Sequence, residues 1–312
     1  MCDDLSRSTT TMIQKMKNSS LKWTQRIHTQ DFFHYQQEQQ SMHSYHAQRV
    51  VFSPTGTTRK IIESITLGLS PKSWSELDLT YSASAQESAS NQQEGTEVAI
   101  IGMPVHAGRI PALAAERLRS SVAGRGRGVV LVVVYGNRAY DDALLELHNM
   151  AVELGFVPVA AAAFVGEHSF SSPDLPVAEG RPDSLDLEEA QNFGKSVREK
   201  MLHIQNCADK AEKLAVPGNI PYRDGVQPAL ISPETEADKC VLCGDCVRSC
   251  PSGAIKLVND SVETDKMRCL RCCACIRVCQ AGARLMTHPK ILELGRTLHE
   301  KFAERREPEL YF

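Results

Sequence analysis

The stretch CLRCCACIRVC (269–279) holds five cysteines in eleven positions, and four of them repeat the spacing of an earlier run, CVLCGDCVRSCP. Each run reads C-x2-C-x2-C-x3-C. The first is Cys240, Cys243, Cys246 and Cys250, and the second, twenty-nine residues on, is Cys269, Cys272, Cys275 and Cys279. Three thiolates spaced by two residues can each take one corner of an iron–sulfur cubane. The fourth lies too far along the chain for the same cluster and reaches another one. The offset continues past the ligands: Gly253 matches Gly282, Ala254 matches Ala283, and Cys273 falls on Gly244, a non-ligand position. Zinc is the alternative for any C-x2-C pair, but it does not call for two reciprocal sets of four. Gln280 stands where the first run has Pro251. It keeps a backbone N–H and adds an amide, either of which could reach a sulfur and raise the potential of the cluster held by Cys279. Lys239, Arg248, Arg268, Arg271 and Arg277 flank the ligands, as solvated cations, as partial offsets of cluster charge, or as a docking patch. Cys2 and Cys207 lie outside both sets and read as plain thiols.

A second stretch carries different chemistry. FSPTGTTRK follows an apolar segment and precedes a helical one, so that Ser53, Thr55, Gly56, Thr57 and Thr58 form a turn at a helix N-terminus. Unpaired backbone N–H groups there suit a phosphate, and hydroxyls donate to it without bringing a counter-charge. The pattern is neither GxxxxGK[ST] nor GxGxxG, so no ATP-binding P-loop or dinucleotide fingerprint is indicated. A Ser/Thr-rich helix cap is the competing reading. Two further loops, GMPVHAGRIP and YGNRAYDD, offer His106, Arg109 and Arg138. GEHSFSS offers His168, either as a proton donor or as a hydrogen-bonded loop histidine. The arginines either place positive charge in a site or pair with Asp141 and Asp142.

These loops need a scaffold, and the hydrophobic pattern predicts one. RVVFS, SELDLT, EVAIIG, GVVLVVVYG and FVPVAAAAFVG read as five strands. Helices are predicted over 57–69, 111–122, 140–154 and 185–203. Strands interleaved with helices imply right-handed crossovers and a parallel sheet covered on both faces. Residues 1–48, rich in Gln, Ser, Thr and His, are expected to be a disordered tail. His28, His34, His43 and His46 leave a metal site there as a minor possibility. Residues 208–235 carry four prolines and read as a linker between an α/β domain at 49–207 and the cysteine module at 236–288. Residues 289–312 read as a helix with Ile291, Leu294, Leu298 and Phe302 on one stripe, to be docked on a domain or on a partner chain.

The hydroxyl loop, in register with the loops after the third and fourth strands, resembles the flavodoxin-like family over about residues 49–207. That resemblance implies an α/β, doubly wound, five-stranded parallel sheet of order 2-1-3-4-5, with the crevice where strands one, three and four end together. It implies an FMN phosphate on Ser53, Thr55, Gly56, Thr57 and Thr58. It also implies that Pro104, Val105, His106, Ala107 and Gly108, together with Tyr135, Gly136, Asn137, Arg138 and Tyr140, flank the ring. The small acidic flavodoxins offer aromatic and acidic ring loops, whereas this chain offers His106, Arg109 and Arg138. The cysteine repeat resembles the bacterial two-cluster ferredoxins over 236–288, a small α+β fold. It implies one [4Fe-4S] cluster on Cys240, Cys243, Cys246 and Cys279, and another on Cys269, Cys272, Cys275 and Cys250. The domain order resembles a fused flavodoxin–ferredoxin family of mostly anaerobic microbes.

Composition narrows the classes. A net charge of −3 argues against a basic nucleic-acid binder or a polybasic membrane patch. No export signal or spanning segment is evident, so a cytoplasmic protein is expected. Nine cysteines crowded into 240–279 argue for ligation in a reducing compartment rather than for a disulfide scaffold. Three functions remain open: an electron carrier serving redox protein partners, an FMN-dependent reductase of a small molecule with His106 or His168 as proton donor, and a non-catalytic cluster protein. A second copy of the chain is one candidate partner for the C-terminal helix.

Overall fold

The core is a sheet of long apolar strands, and their burial follows from sequence. β1 (His46–Val51), β2 (Ser73–Asp78), β3 (Glu97–Pro104), β4 (Gly128–Tyr135) and β5 (Val157–Val165) pair in parallel in the order β5-β4-β3-β1-β2. This computed structural model describes residues 45–81, 97–206, 214–227 and 229–312. His28, His34, His43, Cys2 and Cys207 lie outside the described residues. The first strand starts at His46, so the sheet takes in the end of the stretch expected to be a tail. Val129–Val133 are wholly buried because helices cover both faces of β4.

Helices α1 (Thr57–Leu69), α2 (Ala112–Ser121), α3 (Ala143–Glu153) and α4 (Ser184–Asn206) follow strands one, three, four and five. α1 buries Ile61, Ile62, Ile65 and Leu69, the stripe its 3.6-residue periodicity sets. It packs so closely on α4 that a Cβ at Gly68 would stand 1.9 Å from the Gln191 carbonyl oxygen. On the other face Leu118, Leu144, Leu147 and Met150 pack with Ile101, Leu131 and Val133 in one core cluster.

The cysteine module contains β6 (Glu234–Thr235), α5 (Asp245–Arg248), β7 (Ile255–Val258), β8 (Ser261–Thr264), α6 (Ala274–Arg277) and β9 (Arg284–Leu285). β6 pairs with β9 and β7 with β8, both antiparallel. α7 (Pro289–Lys301) follows, and then the chain turns back as β10 (Glu309–Tyr311), antiparallel to β5. The C-terminal segment is therefore a helix plus a sixth strand, not a helix throughout. Sequence alone hid the strand, since three residues give no period.

Sheet, module and tail fall in one compact unit, 46–312. The stretch read as a linker is anchored within it. Asp142, 2% exposed, accepts from the backbone N–H groups of Asn219 at 2.8 Å and Arg223 at 2.7 Å. Leu214 joins the core cluster. No helix among the described residues is long and apolar enough to cross a membrane.

Candidate functional site

The hydroxyl loop is built as its sequence requires. Gly56 caps α1 with φ +83°, a left-handed conformation that glycine adopts without steric cost. Gly56 itself has no side chain to cap that helix end, and the first turn has no acid. Ser53 is occupied inside the loop: its N–H donates to Thr80 Oγ1 at 2.8 Å, and its Oγ accepts from Arg59 N at 3.1 Å. Thr55 and Thr57 share a bond at 3.3 Å. Thr58 Oγ1 is buried with no partner. A buried hydroxyl without a partner is costly, and here it stands beside a helix N-terminus with free N–H groups. The loop fits a phosphate.

Thr55, Thr57 and Thr58 line a cavity of about 730 Å³. So do the whole stretch Pro104–Gly108, Tyr135, Gly136, Arg138 and His168. Ser53, Gly56, Asn137 and Tyr140 do not line it. Asn137 turns its amide to the tail, donating to the carbonyls of Phe302 at 2.6 Å and Glu304 at 2.8 Å. Tyr140 OH bonds Glu309 at 2.6 Å and Tyr311 at 2.7 Å. Both residues hold the C-terminal segment in place, and for the ring-loop reading of their side chains this is a correction. Local spacing could not reveal a partner more than 160 residues away.

The charges around this cavity are partly compensated. Arg138 and Arg223 both pair with Asp141. Arg109 forms a two-pronged pair with Glu146, at 2.8 Å on each arm, rather than with Asp142. Burial, helped by the charge of Arg271, pushes His106 down to about 4. Burial also takes His168 to about 4, with His106, Arg138 and Arg277 adding to the effect. Both rings are therefore neutral near pH 7. His168 Nδ1 accepts from Phe170 N at 3.0 Å, which leaves its proton on Nε2.

The other walls of the cavity were not foreseen. Arg223, Gly225–Gln227 and Ile231 supply one, from the stretch read as a linker. Ile291, Leu294 and Leu298 of α7 supply another. Their stripe was visible in sequence as an apolar face, though not what it would cover. The third wall is Leu270, Arg271 and Cys272, so a candidate cluster ligand borders the same space as the hydroxyl loop.

In the cysteine module the two runs exchange their fourth members. Cys240, Cys243, Cys246 and Cys279 line one small cavity together with Arg284. Cys250, Cys269 and Cys275 are near enough to act electrostatically on Cys272. Burial pushes the Cys272 thiol up to about 12, so ligation there must displace a proton. Among the described residues no three His, Cys, Asp or Glu side chains are gathered for a single ion. Cys273 caps α6 at φ +59° just as Gly244 caps α5 at φ +77°. It is buried, with its Sγ donating to Arg271 O at 3.7 Å.

The flanking cations have particular partners. Lys239 pairs with Glu236, and Arg248 pairs with Asp245, each at 2.5 Å within the module. Arg268 donates to Ser252 O at 2.7 Å. Arg271 donates to Gln227 O at 2.7 Å, and Arg277 to Glu167 at 3.1 Å. These last two, with Arg117 donating to Pro251 O at 2.8 Å, hold Cys250 and Cys269–Cys275 against the α/β part and the stretch around Gln227. Pro251 is buried, whereas Gln280 is exposed and its side chain has no bond to a sulfur among the described residues.

The 4Fe-4S dicluster domain family matches residues 232–280. No curated protein matches the chain significantly. Among solved structures, a flavodoxin from the domain Archaea is similar at 14% identity and a TM-score of 0.36, covering 50% of this chain and 97% of its own. A Fusobacterium nucleatum flavodoxin mutant bound to flavin mononucleotide has 14% identity and a TM-score of 0.32, covering 50% and 96%. An NAD(P)H:quinone oxidoreductase from Methanothermobacter marburgensis has 14% identity and a TM-score of 0.31, covering 49% and 99%.

Proposed function

We propose that this chain, a flavodoxin-like sheet fused to a 4Fe-4S dicluster domain, carries electrons between two [4Fe-4S] clusters and an FMN held in the large cavity. One observation carries the reading: Cys272 lines the same space as Thr55, Thr57 and Thr58. Cys250, Cys269, Cys272 and Cys275 are the inner set. Cys240, Cys243, Cys246 and Cys279 are the outer set, with Cys243 exposed. FMN supplies exchange in one- or two-electron steps, which clusters that pass single electrons lack.

The residues of the chain set the order. The hydroxyl loop and the free N–H groups of α1 hold the phosphate. Arg117, Arg271 and Arg277 fix the inner thiols beside the cavity, and the outer set presents Cys243 to solvent, where a redox partner protein can approach. Anaerobic reconstitution with iron and flavin analysis tests this reading. About eight irons and one FMN per chain are expected. Iron without flavin leaves a cluster protein with an assembly or sensing role.

A second reading has its own observation. Arg223, Gly225–Gln227, Ile231 and α7 wall the cavity beside the loops of the sheet. A pure carrier needs an exposed flavin edge, whereas a walled cavity suits a reductase of a small molecule. His168, with its proton on Nε2, and His106 line the cavity as neutral rings that can hydrogen-bond a substrate or relay a proton to it. Reoxidation of the reduced protein by small acceptors, at rates above that of a partner carrier protein, would select this reading.

A further inference from the structure

We propose that Arg284 is the shared counter-charge of the two cysteine sets, a positioning residue that makes both clusters easier to reduce; this rests on the dicluster reading above. Arg284 is 2% exposed. Its Nη1 donates to Thr235 Oγ1 at 2.6 Å, and its Nη2 to Thr264 Oγ1 at 3.2 Å. Nη2 also stands 3.7 Å from Cys275 Sγ, an inner-set thiol. The same side chain lines the cavity of the outer set, Cys240, Cys243, Cys246 and Cys279. The guanidinium therefore stands beside an inner thiol, on a residue that also borders the outer set.

Among the described residues no carboxylate pairs with it. The ion pairs of the described residues in the module are Lys239–Glu236, Arg248–Asp245 and Arg277–Glu167, and Arg284 is in none of them. Its Nε is buried without a partner. An arginine does not shed its proton in a protein, and a buried guanidinium with no anion is strongly disfavoured. Neutral threonine hydroxyls orient it but cannot neutralise it. The groups that can are thiolates, four to each cluster.

The internal repeat sharpens the point. Twenty-nine residues earlier the equivalent position is Ile255, 4% exposed and packed with Cys246 and Cys275. An aliphatic side chain satisfies the packing in that half, so packing alone does not require a cation in the other. Cluster reduction adds one electron from an external one-electron donor, such as a low-potential carrier protein, and increases the negative charge of the core. A fixed cation beside it stabilises the reduced form more than the oxidised form, which raises the potential. No proton moves, because the guanidinium stays charged in both states.

The test uses the full chain reconstituted anaerobically, with dithionite as reductant and EPR-monitored potentiometry, in the wild type, Arg284→Met and Arg284→Lys. Arg284→Met should shift the one-electron reduction equilibrium of each cluster at least tenfold towards the oxidised form, about 59 mV. Arg284→Lys, which keeps the charge, should shift it by less than half as much in potential. Unmoved midpoints in Arg284→Met, or equal shifts in both variants, would overturn the proposal and leave a packing role. If Arg284→Met takes up less iron while Arg284→Lys takes up the full amount, the counter-charge is supported. If both lose iron, it is overturned. A wild type without about eight irons fails at the earlier step, removing the dicluster reading and the proposal with it.

Discussion

The two cysteine runs are nearly the same in sequence and differ in what surrounds them. The inner thiols are embedded. Cys272 and Cys275 are buried, Cys250 Sγ accepts from Ala254 N at 3.3 Å, and Cys269 Sγ from Arg271 N at 3.4 Å. In the outer set Cys243 is exposed, and beside it Val241 is 72% exposed. The repeat makes two equivalent clusters possible, but the rest of the protein makes them unequal. What sets the inner set apart is its place: it borders the large cavity through Cys272 and is tied to the α/β part through Arg117, whereas the exposed thiol, Cys243, belongs to the outer set. A repeat in sequence therefore yields an inner and an outer position, and direction along an electron path needs such a difference.

The comparison is broken most severely at Cys272. Cys272→Ser should lose roughly half of the bound iron and abolish flavin reduction through the clusters, while flavin binding persists. Cys243→Ser should lose a similar share of iron and yet leave the inner cluster's EPR signal. Anaerobic iron analysis and stopped-flow flavin bleaching read both outcomes. If either variant loses flavin as well, the two regions are not separable.

Thr58→Val acts on the other side of the cavity. It removes a hydroxyl that has no protein partner. A hydrogen bond to a charged group contributes about 1.5–3 kcal/mol, so FMN should bind roughly 10- to 150-fold more weakly. A fluorescence titration of flavin-free protein checks this, with cluster potentials unchanged as the control.

Arg117→Ala tests the junction. It cuts bonds to the carbonyls of Leu79, Thr80 and Pro251. A loss of about 1–3 kcal/mol is expected, read as a lower unfolding midpoint and faster hydrogen exchange around Cys250. The equivalent position in the other half predicts the smallest effect. Gln280→Pro should move the outer midpoint by less than about twofold in equilibrium, below ~20 mV. Gln280 is exposed and its side chain bonds no cysteine sulfur among the described residues, so a small effect on the outer cluster is expected. A larger shift in potentiometry would favour the action on Cys279 that its sequence position suggested.

Much of the scaffold was legible because its signals are local. A short, β-branched apolar run such as Val129–Val134 favours a strand buried on both faces, and Ile61, Ile62, Ile65 and Leu69 share one helix face at helical period. The eight cysteines were legible for the same reason, since ligand spacing is set by a few residues of backbone. The hydroxyl loop was legible in type, but Ser53 proved to be spent on Arg59 N and Thr80, whereas Thr58 keeps an unpartnered hydroxyl. Asn137 and Tyr140 were misread because their partners come from the tail. Arg284 was missed because five other cations flank the ligands more closely in sequence.

The sequence by itself determined the element order, the two reciprocal sets of thiols and the chemistry of a phosphate-ready helix end. All three depend on residue type and short spacing. Only the tertiary structure decided that Cys272 shares a cavity with Thr58, that the tail and the stretch after 214 wall that cavity, and that Arg284 stands beside an inner thiol and borders the outer set. Contacts of that kind join segments far apart in the chain. They arise when apolar faces without local partners, the α7 stripe above all, are buried against whatever surface is complementary.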